Sequence, residues 1–339
     1  MPDCPPASLM LESFSMHSLL YLFLDGIGLA PESDDNPIAS ARTPHLRSLL
    51  GRPLLAGPDI VSEHLIFRGI DATMGVAGLP QSATGQTALF TGVNAAQLVG
   101  MHIATYPTAP LREIIARQSI FKSAAEAGRR VTFANPFHAL YWKAVDEGHV
   151  KLSATTLAFQ ASGAPFRDLH DLERGAAVFW DITHEVARLG RPLRRTRASP
   201  NAEAAESDRQ RFPVPPISPE EAGRRLAVLA ADHHLTLYES FLTDLAGHRR
   251  LGIDAERVIS TIDAFVGAVA RHRAPDTTIV LTSDHGNVET RSFKGHTLNR
   301  VPLVVIGPAA AHFRNIRSIT QVASAILRAL DINAPTPAM

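Results

Sequence analysis

Apolar positions along the chain fall into two patterns that alternate. A short continuous apolar run at 18–24 (SLLYLFL) reads as a buried strand, and 131–134, 235–240, 277–283 and 301–306 read as further strands. Between them, apolar residues recur every three or four positions. The clearest case opens at Asp254 and puts Val258, Ile259, Ile262, Phe265, Val266 and Val269 on one helical face. Ser218-Pro219-Glu220-Glu221 combines a cap, a proline at the first helical position and an acid at the third, which predicts a helix to about Ala231. Ser119 caps a short helix ending at Gly128, and Ser318-Ile319-Thr320-Gln321 has the form of a capping box for a last helix ending near Leu330. Residues 87–98, after Gly85-Gln86, read as a further helix.

Strands alternating with helices predict an α/β fold, a three-layer sandwich whose central sheet is mostly parallel. From Asn135 to Pro216 the periodicity weakens, and residues 190–217 are polar, basic and proline-rich, the composition of a mobile loop. The expected organisation is an extension over 1–16, a core formed by 17–134 and 216–339, and a small inserted cap over 135–215.

Composition narrows the function. The 339 residues are 45% hydrophobic and 19% charged, enough for one large core with an insert. Lys plus Arg (33) equals Asp plus Glu (33), so no global field draws nucleic acid or a membrane surface, and any phosphate recognition must be local. The single cysteine, Cys4, forms no internal disulfide and stands apart from any cluster that would hold structural zinc. No run approaches the roughly 18 apolar residues of a membrane span. No Lys or Arg precedes Arg42, so the basic start of a secretory signal is missing and the cytoplasm is the expected location. The sequence leaves the oligomeric state open.

Candidate chemistry sits where the strands end. Ligands of open α/β sheets collect beyond the carboxyl ends of the strands. Asp25 follows the first strand, Asp244 and His248 follow the strand at 235–240, Asp284-His285 closes the next, and His296 lies just before 301–306. Taken singly, each is an ordinary cap or a satisfied histidine. Together they are three carboxylates and three imidazoles at one edge, a donor set for Zn²⁺ or Mn²⁺ rather than Mg²⁺ or Ca²⁺. Six ligands exceed one tetrahedral catalytic site and suit two ions roughly 3.5–4 Å apart. Thr87 follows a glycine-containing loop at the expected start of a helix, where backbone N–H groups favour an anion, and is the candidate nucleophile. Its local alternative is a plain helix cap, and Ser82 and Thr84 are rival hydroxyls. Gly26-x-Gly28 is not a dinucleotide fingerprint, because Pro31 stands where the third glycine belongs.

Five motifs occur in order: Asp-Gly-x-Gly at 25–28, Gly-x-Thr at 85–87, Asp-x-x-Gly-His at 244–248, Asp-His-Gly-Asn at 284–287, and Gly-His-Thr at 295–297 followed by Val301-Pro302. In that order they resemble the alkaline phosphatase superfamily of dinuclear metalloenzymes, in the branch of cofactor-independent phosphoglycerate mutase and phosphopentomutase. The resemblance implies that Asp244, His248 and His296 hold one metal, and that Asp25, Thr87, Asp284 and His285 hold the other. It further implies Mn²⁺ as the usual ion with Zn²⁺ as the alternative, a small phosphate monoester as substrate, and a phosphothreonine intermediate on Thr87. The glycerate mutases carry a longer insert with their sugar-acid contacts. The shorter one here offers His138, Lys143, His149, Lys151, Arg167 and His184, each read first as a solvated side chain. The arginines at 191, 194, 195, 197, 209 and 211 read first as a linker, and second as a closure over an anionic substrate. Two other functions stay open at this point: a phosphodiesterase or phosphonate hydrolase on the same scaffold, and a non-catalytic metal-binding protein. The sulfatase pattern Cys/Ser-x-Pro-x-Arg is absent at Thr87.

Overall fold

The structure, a computed structural model, describes residues 17–188 and 214–333. The expected extension over 1–16, Cys4 and the arginine-rich stretch over 190–213 lie outside the described residues.

Seven strands form the central sheet: β1 (Ser18–Leu24), β2 (Ile60–Val61), β3 (Leu65–Ile70), β4 (Val131–Phe133), β7 (Leu235–Ser240), β8 (Thr277–Thr282) and β9 (Val301–Ile306). Their order is β2-β3-β9-β8-β1-β7-β4. β1 runs parallel to both β7 and β8, and β4 runs parallel to β7. β9 runs antiparallel to both of its neighbours, β8 and β3. This reversal matters for the site. The start of β9 lies at the same edge as the ends of β1, β7 and β8, so a residue preceding β9 joins residues following the other three.

The layers follow from the twofold alternation of a strand. Tyr21 and Phe23 of β1 face one side, where Leu89 and Phe90 of the helix Ser82–Thr91, Phe121 and Ile326 meet them. Leu20, Leu22 and Leu24 face the other, against Leu226 of the helix Pro219–Ala231 and Ile262 and Phe265 of the helix Ala255–His272. The fold is the expected α/β sandwich.

Within 135–188, two short strands, β5 (Pro136–Phe137) and β6 (Arg167–Asp168), pair in parallel. The helix Ala139–Asp146 has no buried residue, whereas Ala154–Gln160 buries five of its seven and packs on the Ser82 helix. Phe133, Phe137, Phe159 and Phe166 form an aromatic cluster with centroids 5.0 to 6.4 Å apart. Among the described residues, no helix is long and apolar enough to cross a membrane.

One helix differs from the sequence expectation. Where 87–98 was the predicted span, a helix runs over Ser82–Thr91, ends at the left-handed Gly92, and is followed by Ala95–Val99. Gly85 is inside the helix, not before it. A glycine costs a helix interior up to about 1 kcal/mol relative to alanine, but close packing requires this one, as shown below.

Candidate metal centre

The strand ends deliver two triads. Asp25, Asp284 and His285 are buried and offer ligand atoms within 4.8 Å of one another, and so do Asp244, His248 and His296. In the first, His285 Nε2 lies 3.3 Å from Asp25 Oδ1 and 3.5 Å from Asp284 Oδ2. In the second, Asp244 Oδ1 lies 3.3 Å from His248 Nε2 and 3.8 Å from His296 Nε2. The triads adjoin: the His285 and His296 rings stack at 3.6 Å between centroids and 14° between planes. Six of the seven expected site residues are therefore brought together.

Local sequence explains the approach. Gly26 has φ +77°, and a Cβ there would stand 2.8 Å from Asp244 Cα, so glycine lets the turn after β1 pass against the Asp244 segment. Asp25 N donates to Ser240 O at 3.0 Å, and the Thr243 hydroxyl donates to Asp25 O, which fixes this turn to the end of β7. A Cβ on Gly28 or Gly286 would come within 2.0 or 2.2 Å of Glu289 Oε1. Both glycines make room for one carboxylate, which accepts from Gly28 N, Asn287 N, Thr297 Oγ1 and Asn299 Nδ2. Glu289 thus ties together the three segments that carry Asp25, His285 and His296. The sequence reading missed it, along with Asn287, whose Nδ2 donates to Asp244 Oδ1 at 2.8 Å. Both belong to the run Asp-His-Gly-Asn-Val-Glu, so the signal was next to the ligands already chosen.

The residues present fit divalent cations. Asp25 Oδ1 and Asp284 Oδ1 are buried with no hydrogen-bond partner, and among the described residues the ionic partners of these carboxylates are histidines alone. Burial, then the charges of Asp284 and Asp244, hold the Asp25 carboxyl well above the usual range. Burial, then Asp244, pushes Asp284 up to about 7. Burial opposes the charge of Asp244, but hydrogen bonding from His248 and the charges of His285 and His248 bring it to about 2. Burial lowers His285 to about 4, and burial followed by the charge of His285 lowers His296. Burial thus favours the neutral form of His285 and His296, the form that ligation needs, whereas the hydrogen bond to Asp244 and its charge raise His248 against the opposing effect of burial. Two are also oriented: His248 Nδ1 and His296 Nδ1 each lie 2.7 Å from a backbone carbonyl, of Lys294 and Pro80. A proton on Nδ1 leaves the Nε2 lone pair facing the centre.

The seventh expected residue stands apart from the two triads. Thr87 lies in the second turn of its helix, fully buried, with Oγ1 donating to Ala83 O at 2.6 Å. Thr84 likewise turns to Gln81 O, at 3.2 Å. Ser82 is the first residue of the helix, half-buried, with Oγ 3.1 Å from His285 Nε2. The misplaced helix start came from Gly85, taken as the break before the helix. A Cβ at Gly85 would stand 2.9 Å from Asp284 Cβ and 3.0 Å from its carbonyl oxygen, so glycine is what brings this helix against the metal-site loop.

Comparison with known proteins gives a likeness that includes part of this site. Residues 224–334, which contain Asp244, His248, Asp284, His285 and His296, match the sequence model of the metalloenzyme superfamily. The chain resembles the alkaline phosphatase superfamily of metalloenzymes. A particular relative is the 2,3-bisphosphoglycerate-independent phosphoglycerate mutase of Psychrobacter arcticus, 31% identical over 100 residues, or 27% of this chain. The chain spans only 18% of that mutase's length. In fold, the PH0037 protein of Pyrococcus horikoshii superposes with a TM-score of 0.51 at 14% identity, covering 95% of this chain and 99% of that one. A variant of TAB5 alkaline phosphatase with Mg bound gives 0.50 at 12% identity, covering 94% and 99%.

Proposed function

We propose that the protein is a two-metal phosphoryl-transfer enzyme acting on a small phosphate monoester, with Ser82 in place of Thr87 as nucleophile. One observation carries the reading: two adjoining carboxylate-imidazole triads face a serine hydroxyl at the start of a helix. Asp25, Asp284 and His285 are assigned to one ion and Asp244, His248 and His296 to the other. All six lie in the segments 17–134 and 216–339, the core in this reading, with 135–215 as an insert against it.

Bound Mn²⁺ or Zn²⁺ would neutralise phosphate oxygens and favour the deprotonated serine. The residues of the chain do the rest. His248 and His296 keep their protons on Nδ1 and present Nε2. The Ser82 hydroxyl is 3.1 Å from His285 Nε2, the atom that ligation would use, so a ligated His285 would leave Oγ free of that contact. Ser82 Oγ would attack phosphorus in line, its proton passing to solvent, and a phosphoserine would form as the substrate's ester bond breaks and the leaving oxygen takes a proton from solvent. The helix N-terminus favours the anion beside it. Transfer to a second hydroxyl gives a mutase and transfer to water a phosphatase. The similarity to the glycerate mutase supports phosphate-monoester chemistry.

The test is turnover of aryl phosphate monoesters and diesters by Mn²⁺- or Zn²⁺-supplemented protein. Ser82→Ala is expected to lower monoester turnover by about 10³-fold or more, the scale of losing a nucleophile, while leaving bound metal in place. Thr87→Val is expected to keep turnover within about threefold, the change lying outside the reacting groups. The reverse ranking would return the nucleophile to Thr87. A preference for the diester would move the substrate class, and full metal loading without turnover of either ester would favour the non-catalytic reading.

A further inference from the structure

Asp284 is held from behind by a chain of buried side chains that ends in a second carboxyl group. Gln86 Nε2 donates to Asp284 Oδ2 at 3.2 Å. Gln86 Oε1 lies 3.3 Å from Thr155 Oγ1, which lies 2.8 Å from Glu239 Oε1. All four side chains are buried. Gln86 comes from the Ser82 helix, Thr155 from the helix Ala154–Gln160, and Glu239 from β7. Asn135 clamps the backbone of Glu239, accepting from its N–H at 2.9 Å and donating to its carbonyl at 2.8 Å.

Counting protons decides the state of this chain. With Asp284 ionised, as metal binding requires, the Gln86 amide has one workable orientation, because a flip would set its oxygen against the carboxylate. Its Oε1 therefore needs a donor, and Thr155 is the neighbour. A threonine hydroxyl has one proton. Were Glu239 ionised, it could only accept, and Thr155 would have to serve two acceptors with that proton. A proton on Glu239 resolves the conflict. Glu239 donates to Thr155 Oγ1, Thr155 donates to Gln86 Oε1, and Gln86 donates to Asp284 Oδ2. Each link then has one donor facing one acceptor, and bonds aligned in one direction strengthen one another.

We propose that Glu239 is held in its protonated form and that Glu239, Thr155 and Gln86 are positioning residues that set the orientation of the Asp284 carboxylate for metal binding. The proposal rests on the two-metal reading above. Its surroundings agree: burial outweighs the opposing Thr155 hydrogen bond and, with the charge of Asp284, pushes Glu239 up to about 8. The other titratable groups that feel Glu239 are Asp25, Tyr141 and Tyr238, none of them a cation. The chain makes the helix Ala154–Gln160 a buttress of the metal centre, a role that none of the five sequence motifs reveals.

The test uses the full chain and two readouts. In the metal-free protein at pH 7, the infrared difference between wild type and Glu239→Gln is expected to contain a protonated-carboxyl band that disappears as pH rises through about 8. In Mn²⁺ titration calorimetry, Thr155→Val is expected to weaken binding about tenfold, the range for a lost outer-sphere partner. Thr155→Ser should restore it, and Glu239→Gln, whose amide still donates to Thr155, should stay within about twofold of wild type. Gln86→Leu, cutting the chain one link nearer the metal, should match Thr155→Val and serves if that variant folds poorly. The absence of the band, or wild-type affinity in both Thr155→Val and Gln86→Leu, overturns the proposal. Wild-type protein that binds no Mn²⁺ overturns the two-metal reading instead, and the infrared band still decides whether Glu239 is protonated.

Discussion

Gly85 shows how one missing side chain can decide a site. On helix propensity alone, Gly85→Ala stabilises a helix interior by up to about 1 kcal/mol. Here the new methyl would stand 2.9 Å from Asp284 Cβ and 3.0 Å from Asp284 O, both of them rigid. Packing therefore opposes propensity, and the contact is the larger effect, since overpacking costs about 1–3 kcal/mol. The variant is expected to bind Mn²⁺ about tenfold more weakly, as read by calorimetry, with its melting temperature unchanged or lowered. A rise in stability with unchanged affinity would show that the helix can shift without disturbing Asp284. The same glycine explains what was legible at this scale. Asp25, Asp244, His248, Asp284, His285 and His296 could be found because each follows or, for His296, precedes a stretch legible as a strand. Ser82 could be named only as a rival, because the tight contact that puts Gly85 inside a helix is made with a residue almost two hundred positions away, and local sequence carries no trace of it.

Elements support one another by side chains that local patterns assign elsewhere. The helix Pro44–Leu50 begins after Thr43, whose side chain makes no capping bond. Its N-terminal donors are satisfied by Asp263, on the helix Ala255–His272: Oδ2 accepts from His45 N at 3.1 Å and Oδ1 from Leu46 N at 2.6 Å. Asp263 is buried, so truncation would leave two amides without water or partner. Asp263→Ala is expected to destabilise the protein by about 1–3 kcal/mol, with Asp263→Asn less costly because one acceptor oxygen survives. Urea denaturation measures both, and equal stability of the alanine variant and wild type would show that the cap is dispensable. The longer helices opened at Ser218 and Asp254 were legible for the converse reason: start, stripe and terminus lie within one window, and Ser218 caps its own helix by accepting from Glu221 N. Pro44–Leu50, Ala139–Asp146 and Ala154–Gln160 were not. They are short, and what holds the last of them is Phe159 in a distant aromatic cluster and Thr155 in the chain to Glu239.

Across the whole molecule, the sheet gathers acidic groups at one edge, and this links stability to pH. Asp25 and Asp284 have folded-state pKa values raised above the ordinary 3.8, Asp284 to about 7, and Glu239 is raised to about 8. A raised carboxyl contributes stability that is complete below its unfolded pKa and is lost as pH climbs through the folded one. His285, lowered to about 4, works in the opposite sense, contributing stability above its ordinary 6.5 that is lost as pH falls. Between about pH 4 and 6.5 the two trends oppose each other. Above 6.5 the histidine has nothing further to add, while Asp284 and then Glu239 continue to charge. The metal-free protein is therefore expected to lose stability from pH 6.5 to 8.5. Cations held as proposed would bind the deprotonated carboxylates of Asp25 and Asp284, so Mn²⁺ should offset this loss and its stabilising effect should grow over the same interval. Melting temperatures with EDTA and with Mn²⁺, taken at half-unit pH steps, give the comparison directly. A gap between the two curves that stayed constant or narrowed toward pH 8.5 would mean that these carboxylates are not where the metal binds.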